Sequence, residues 1–291
     1  MRKNRKVGCS KISAIAFLVT VCIALPVYGE DTAKSSEPVY GEDTAKSSGD
    51  WEIRLMPYLW LISLDADSTV NGLSGSPDLS FGDVLDYLDF AAMGRIEVWK
   101  DKWGLSFDGV FMNLGASKSF TGRRGLVDFD LDADVRIGMA DFALMHRLFE
   151  ESFGNNNQQK LTFEPYAGLR YGYLKQEIDL NIDIPSVGSI GQTFGTSEDW
   201  VEPFVGGRLI WDLNDKIALN VRGDAGGFGI GSASDLTWQI VGGIDYKFSK
   251  NIILNVGYRY VDLDYSRGSG SDKFGTRLKA QGPVIGLTIV F

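Results

Sequence analysis

Read back from Phe291 in steps of two, Ile289, Leu287 and Ile285 make one unbroken apolar face, while Val290, Thr288, Gly286, Val284 and Gly282 make a smaller, mixed one. Alternation with a period of two marks a strand whose two faces meet different surroundings. A strand at a sheet edge exposes unpaired N–H and C=O groups, and this one has no later strand to cover them. It must pair backwards. Pairing with the first strand closes the sheet on itself, and closure is what lets strands cross a membrane with every backbone group satisfied.

The rest of the chain agrees with that demand. From Trp51 onward it reads as alternating segments separated by turns, and no stretch of 18 apolar residues occurs there, which excludes helical membrane spans. Residues 51–62 place Trp51, Ile53, Leu55, Leu59 and Leu61 opposite Glu52, Arg54, Tyr58 and Trp60. The pair of segments around Asp101-Lys102 places Trp103, Leu105, Phe107 and Phe111 opposite Ser106 and Asp108. Short polar turns (101–102, 214–216, 249–251) alternate with long links (65–89, 115–125, 176–199, 229–235, 266–273), and residues 149–159 are the exception, a long connection where a short one belongs. The predicted fold is therefore all-β, a transmembrane antiparallel up-and-down β-barrel of about ten strands, with eight or twelve as alternatives. Ten requires residues 126–148 to be one strand carrying a bulge near Ala140. Inside the first long link, Ser80 is placed to cap a short helix bearing Phe81, Val84, Leu85 and Leu88 on one side.

Ahead of the barrel, residues 1–29 have the form of an export signal. Arg2, Lys3, Arg5, Lys6 and Lys11 precede an apolar run at 12–25, too short for a membrane span, and Val27 and Gly29 suit cleavage before Glu30. Residues 30–50 read as a disordered tail carrying the second copy of PVYGEDTAKSS, which occurs at 26–36 and again at 38–48. Both cysteines, Cys9 and Cys22, fall within the signal, so thiol chemistry and cysteine metal sites are excluded from the exported chain. Cleavage leaves 24 basic against 38 acidic residues, a balance of −14 that disfavours nucleic acid as a partner.

Catalytic constellations are scarce. The chain has one histidine, His146, near the predicted short-turn end of a strand, away from the rim where a histidine–acid pair would have to stand. The glycine-rich run at 224–232 lies between two strands with no helix behind it, so it is a bend and not a dinucleotide loop, and no cofactor is implied. The most unusual charge feature is the row Asp128, Asp130, Asp132 and Asp134, ending in Arg136 and alternating with Val127 to Met139. Neighbours two apart on one face lie about 6.6 Å from one another and repel, so something positive should face them. Two placements compete: a cation-attracting wall in the lumen or at the mouth, and an exposed or interior extension neutralised by arginines. Candidate lumen charges elsewhere carry both signs: Arg54, Arg95, Glu97, Asp108, Glu164, Arg170, Glu202, Arg208, Arg222, Asp224, Asp245 and Arg259. Mixed charges within a narrow barrel pair and fill it.

Several ordered motifs, Trp200-Val201-Glu202-Pro203 with Gly206 and Arg208, the run at 224–232 followed by Trp238, Gly257-Tyr258-Arg259-Tyr260 with Asp264-Tyr265, and Gly282-Pro283 through to Phe291, resemble a family of uncharacterised proteobacterial outer-membrane β-barrel proteins. Tyr58-Leu59-Trp60, Ser80-Phe81 and Asp89-Phe90-Ala91 extend the resemblance to the front half. It implies the outer membrane of a Gram-negative bacterium and carries over no catalytic residue. Three uses of such a barrel follow, in this order: a narrow passive pore for small solutes or cations, a structural or surface-interaction protein without transport, and an enzyme at the rim. The expected partners are outer-membrane lipid and the barrel-insertion machinery, which would read Phe291, Ile289 and Leu287.

Overall fold

The computed structural model describes residues 51–70, 73–75, 78–121, 128–154, 158–184, 188–230, 234–267 and 274–291; the expected signal and duplicated tail lie outside them. Fourteen strands form one sheet: β1 (Trp51–Trp60), β2 (Ser63–Val70), β3 (Leu73–Gly75), β4 (Asp78–Leu79), β5 (Leu88–Lys100), β6 (Trp103–Thr121), β7 (Asp128–His146), β8 (Phe149–Phe153), β9 (Gln159–Ile184), β10 (Gly188–Asp212), β11 (Ile217–Gly227), β12 (Leu236–Lys247), β13 (Ile252–Arg267) and β14 (Phe274–Val290). Both β1 and β2 pair with β14, and β8 continues the line of β7 along β9, so the sheet is a closed antiparallel barrel with ten walls. The long segment at 149–159 is explained by this continuation. Residues 149–153 are wall, not loop, and they end at Gly154, whose φ of 83° suits a residue without a Cβ.

Closure is made where the sequence demanded it. Leu55 lies opposite Ile289 and Leu59 opposite Ile285, and Phe291 exchanges backbone hydrogen bonds with Ile53 (2.9 and 3.3 Å). The apolar face of β14 points outward, with Ile285 and Phe291 exposed, while Val284 and Thr288 are buried inside. The same parity holds round the sheet: Trp103, Leu105, Phe142, Leu144, Leu169, Val201, Val205, Val221, Ile240, Ile244 and Val256 form an outward apolar band.

The first wall breaks between β1 and β2 at Leu61-Ile62, opposite Gly282-Pro283. Pro283 has no N–H to continue the ladder, and its carbonyl accepts instead from Leu61 N at 2.8 Å. The chains approach so closely here that a Cβ on Gly282 would collide with the Leu61 carbonyl oxygen.

One expectation is corrected. Residues 128–146 run without the bulge predicted near Ala140, in unbroken register with β6 and β9. The apparent slip in phase is a change of surroundings along one straight strand. From Val135 on the odd-numbered residues face inward, first Val135, Ile137 and Met139, then Asp141.

The predicted helix is present as α1 (Phe81–Tyr87), with a capping box between Ser80 and Asp83. Val84 is buried in one apolar cluster with Ile62, Leu64 and Met112, so the helix is anchored to the barrel's inner apolar cluster.

Gly282→Ala should destabilise the seam by about 1–3 kcal/mol, the usual cost of overpacking. Gly242→Ala, whose added Cβ meets nothing nearer than 4.0 Å, should be near neutral. The temperature at which the folded, faster-migrating gel species disappears checks both.

Candidate functional site

The inward residues fall into two zones, and the register makes the boundary sharp. On five walls a single two-residue step leads from a polar to an apolar inward residue: Tyr58 to Trp60, Asp108 to Val110, Asp141 to Met139, Arg170 to Gly172, and Arg259 to Val261. The end carrying the short turns holds the charged zone, and the end carrying the long loops holds the apolar one.

In the charged zone the carboxylates Glu97, Asp108, Asp141, Glu164, Glu202 and Asp224 are paired with Arg54, Arg95, Arg147, Arg170, Arg208, Arg222 and Arg259. Arg208 on β10 reaches across the bore to Glu97 on β5 with two bonds of 2.6 and 3.0 Å, and its Nε meets Glu164 at 2.7 Å. A two-pronged guanidinium–carboxylate pair is the strongest such geometry. Trp99 Nε1 donates to the same Glu97 at 3.0 Å, and the guanidinium of Arg147 stacks 4.8 Å from the Trp99 ring.

A second group surrounds Asp108. It accepts from Tyr58 Oη and Arg95 Nε, both at 2.7 Å, with Arg259 and Arg222 at 3.6 and 3.7 Å. Above it, Arg170 holds Asp141 through bonds of 2.7 and 2.9 Å and Asp224 through one of 2.7 Å. Gln239, four walls away from Asp141, donates to both aspartates at about 3 Å and accepts from Arg259. Tyr166 ties Asp224 to Arg222. At the loop end of this zone Glu202 accepts from Ser234 and Thr237.

Thus the structure brings together Arg95, Glu97, Asp108, Glu164, Arg170, Glu202, Arg208, Arg222, Asp224 and Arg259, all named from sequence parity, with Arg54 at the edge of the group. Asp245 is held apart from them by Asn220 and Asn255, at 2.7 and 2.6 Å. Asp141 and Gln239 were not foreseen: a bulge assumed at Ala140 inverts the parity of Asp141, and an uncharged Gln239 gives no charge signal.

The aspartate row does not join this network. Asp130, Asp132, Asp134 and Arg136 carry the opposite parity to the inward residues of β7, so they lie on its outer face, in line with the exposed Phe142 and Leu144. Asp128 begins the strand, and its side chain lies outside the described residues. Glu177 and Asp179 of β9 stand opposite Asp134 and Asp132, and Lys175 stands opposite Arg136. A lumenal wall of aspartates is therefore replaced by an acidic outer surface on the part of the sheet beyond the apolar band, where water screens the repulsion. His146 sits at the other end, its ring 4.4 Å from that of Trp103. Among the described residues no cluster of His, Cys, Asp and Glu is arranged to hold a metal ion.

The apolar zone contains Trp60, Ile62, Leu64, Val110, Met112, Leu114 and Val261. Trp200 stacks on Tyr265 at 4.8 Å and lies flat over Gly172, where an added Cβ would collide with its indole ring. A cavity of about 70 Å³ opens among these residues, and a polar one of about 110 Å³ lies in the charged zone beside Arg54, Asn220, Asp245 and Asn255.

No described family matches the sequence, and no curated protein does. Among solved structures the chain is similar to the outer membrane protease OmpT from Escherichia coli, at 11% identity and a TM-score of 0.45, covering 83% of this chain and 97% of that one. The translocator domain of the autotransporter NalP from Neisseria meningitidis shares 14% identity at a TM-score of 0.32, covering 98% and 99% of the two chains. Ail, the attachment invasion locus protein of Yersinia pestis, shares 10% at 0.29, covering 84% and 99%. At such values the fold rests on this chain's own strand pairing.

Removing one partner of a buried pair strands the others. Arg208→Leu should cost about 3–5 kcal/mol, and replacing Arg208, Glu97 and Glu164 together with Met should recover most of it. Urea unfolding followed by tryptophan fluorescence measures the difference.

Proposed function

We propose that the chain is an outer-membrane β-barrel of a Gram-negative bacterium whose bore is stoppered by its own side chains, and that it serves as a structural or surface-interaction protein. The outward apolar band supports the membrane reading, because a closed barrel with a lipid-facing band is the form in which strands cross an outer membrane. The short turns and both barrel termini then belong on the periplasmic side, and the long strands project outward. About ten residues of tilted strand suffice to cross the hydrocarbon layer. The 26 residues of β9 and 25 of β10 therefore extend far beyond it. Export through cleavage after Gly29, and delivery by an insertion machinery that reads Phe291, Ile289 and Leu287, belong to the same reading.

The observation that carries the closed bore is the bidentate Arg208–Glu97 bridge between walls on opposite sides, stacked beneath the Asp108 and Arg170 groups. An ion crossing this zone would have to break paired charges that nothing else solvates. A narrow passive pore for small solutes or cations is the second reading, and the polar cavity of about 110 Å³ beside Asp245 favours it. The rim enzyme stands last, because the single histidine lies at the turn end beside Trp103.

Planar bilayers containing the purified protein decide between the first two. The stoppered reading expects no discrete conductance steps. Sustained cation-selective steps would restore the pore, and Asp130→Asn with Asp132→Asn and Asp134→Asn would then show whether the outer acidic face recruits the cations. Deleting Phe291 should leave periplasmic, protease-sensitive protein, read by fractionation.

A further inference from the structure

We propose that the polar cavity at the turn end of the barrel is a binding site for a small zwitterion, of the class of glycine or alanine. The inference rests on the stoppered reading, which makes this cavity a blind pocket floored by the Arg208–Glu97 bridge.

The first observation is an unpaired carboxylate. Every carboxylate of the ion-paired zone has an arginine partner, whereas Asp245 has no basic partner among the described residues. Asn220 and Asn255 both donate to its Oδ1, and its Oδ2 takes no hydrogen bond. A carboxylate only accepts, so both amides must turn their nitrogens toward it. Thr288 fixes Asn255 that way by donating to its carbonyl at 2.6 Å. The carbonyl of Asn220 takes no hydrogen bond and remains open beside Asp245.

The second is a set of free donors on the same cavity. Arg54 engages Glu52 through Nε at 2.6 Å, its Nη1 stays 3.9 Å from Glu97, and its Nη2 has no partner. Arg95 holds Asp108 through Nε and Nη2, which leaves Nη1. These atoms keep accessible surface, unlike the unpartnered but enclosed Arg170 Nη1, Arg222 Nη1 and Glu202 Oε1 deeper in the bore. Two other arginines bordering the cavity are taken up, Arg208 by Glu97 and Glu164, and Arg259 by Gln239 and Tyr58.

The third observation is how the two sets face one another. Arg54, Thr288, Asn255, Asp245 and Asn220 look inward from the successive walls β1, β14, β13, β12 and β11. Cationic donors thus stand at one end of an arc and acceptor oxygens at the other, with the cavity between them. An anion alone would be drawn by Arg54 and Arg95 and repelled by Asp245, and a cation alone would meet the reverse. A zwitterion meets a partner at each end: its carboxylate on the two arginines, its ammonium on Asp245 Oδ2 and the Asn220 carbonyl.

Size narrows the class. An engineered cavity of about 150 Å³ holds benzene. One of about 110 Å³ holds about five non-hydrogen atoms, which describes glycine, with alanine at the limit. Entry is from the turn side, where the Lys247–Asp212 pair forms the rim with side chains 31% and 14% exposed.

The test uses the purified full-length protein in an uncharged maltoside detergent, titrated separately with glycine, acetate and methylammonium. Binding is read on the ligand's own carbon-bound protons by saturation transfer from the protein. Glycine should saturate, with acetate and methylammonium each at least about tenfold weaker. Asp245→Asn should weaken glycine by about tenfold or more while acetate binds as well as before or better, because the repulsion is gone. Arg54→Gln should weaken glycine and acetate together. No saturable glycine signal would overturn the proposal. Acetate matching glycine would reduce the site to an anion site, and methylammonium matching it to a cation site; either outcome overturns the zwitterion. Loss of both glycine and acetate from Asp245→Asn, with the heat-dependent gel shift intact, would overturn the role given to Asp245. If that variant fails to fold, the three wild-type titrations still decide. Conductance is read separately: a barrel that conducts yet binds glycine keeps this site and loses the stoppered reading, whereas a silent barrel with no saturable glycine signal loses only the site.

Discussion

Arg208 bridging the bore to Glu97 is the contact on which the interior depends. A barrel of ten walls is too narrow to leave its centre to bulk water and too wide for backbone to fill, so long inward side chains must meet across it. Guanidinium groups have the reach, and their planar fork lets one arginine serve two carboxylates on different walls, as Arg208 does for Glu97 and Glu164. Because those walls are linked only through the intervening strands, each such bridge also fixes the cross-section of the barrel. The closing seam needs that support, since Pro283 interrupts its ladder at mid-height.

Most of this was legible as parity. Alternation from Trp51 and back from Phe291 assigned Ile53, Leu55, Ile285 and Ile289 to one face, and the same rule named most of the arginines and acids that converge inside. What parity cannot supply is which medium a face meets at a given height. In β7 the odd residues from Val135 on face inward, yet they change from Val135, Ile137 and Met139 to Asp141, while the even residues change from Asp134 to Phe142. Both faces switch polarity within a few residues, and a reading that assumes one medium per face interprets the switch as a slipped register. The aspartate row could not be assigned to one of its two placements for the same reason, and of the two it takes the exposed extension. Partner choice across the bore is equally invisible, because Glu97 and Arg208 are brought together by closure and by no local spacing.

The long segments assigned to loops follow the same logic. Residues 176–184 and 188–199 carry polar and apolar residues in alternation, but with Glu177, Asp179 and Asp199 outward and Ile178, Phe194 and Ile190 inward they form the upper part of two paired strands. Local composition suggested a loop because half of the alternating residues are polar. Pairing with the neighbouring strand made it sheet. The cost of ordering so long a hairpin is offset by its continuous ladder, which satisfies the backbone whether or not lipid surrounds it.

The two interior zones also support one another. Ion pairs strengthen as the surroundings become less polar, provided each charge keeps its partner. The apolar cluster of Trp60, Leu64, Met112 and Val261, with Val84 of α1 joined to it, shields the Asp108 and Arg170 groups from the loop end. In return, the ring of Trp60 rests 4.8 Å from the Arg259 guanidinium, and Trp200 is held by Tyr265 and by the gap that Gly172 leaves. The charged floor is rigid because it is dry on one side. The aromatic wall above it is braced by the same contacts, and a small apolar cavity among Trp60, Met112, Leu174 and Trp200 remains because neither layer can relax to fill it.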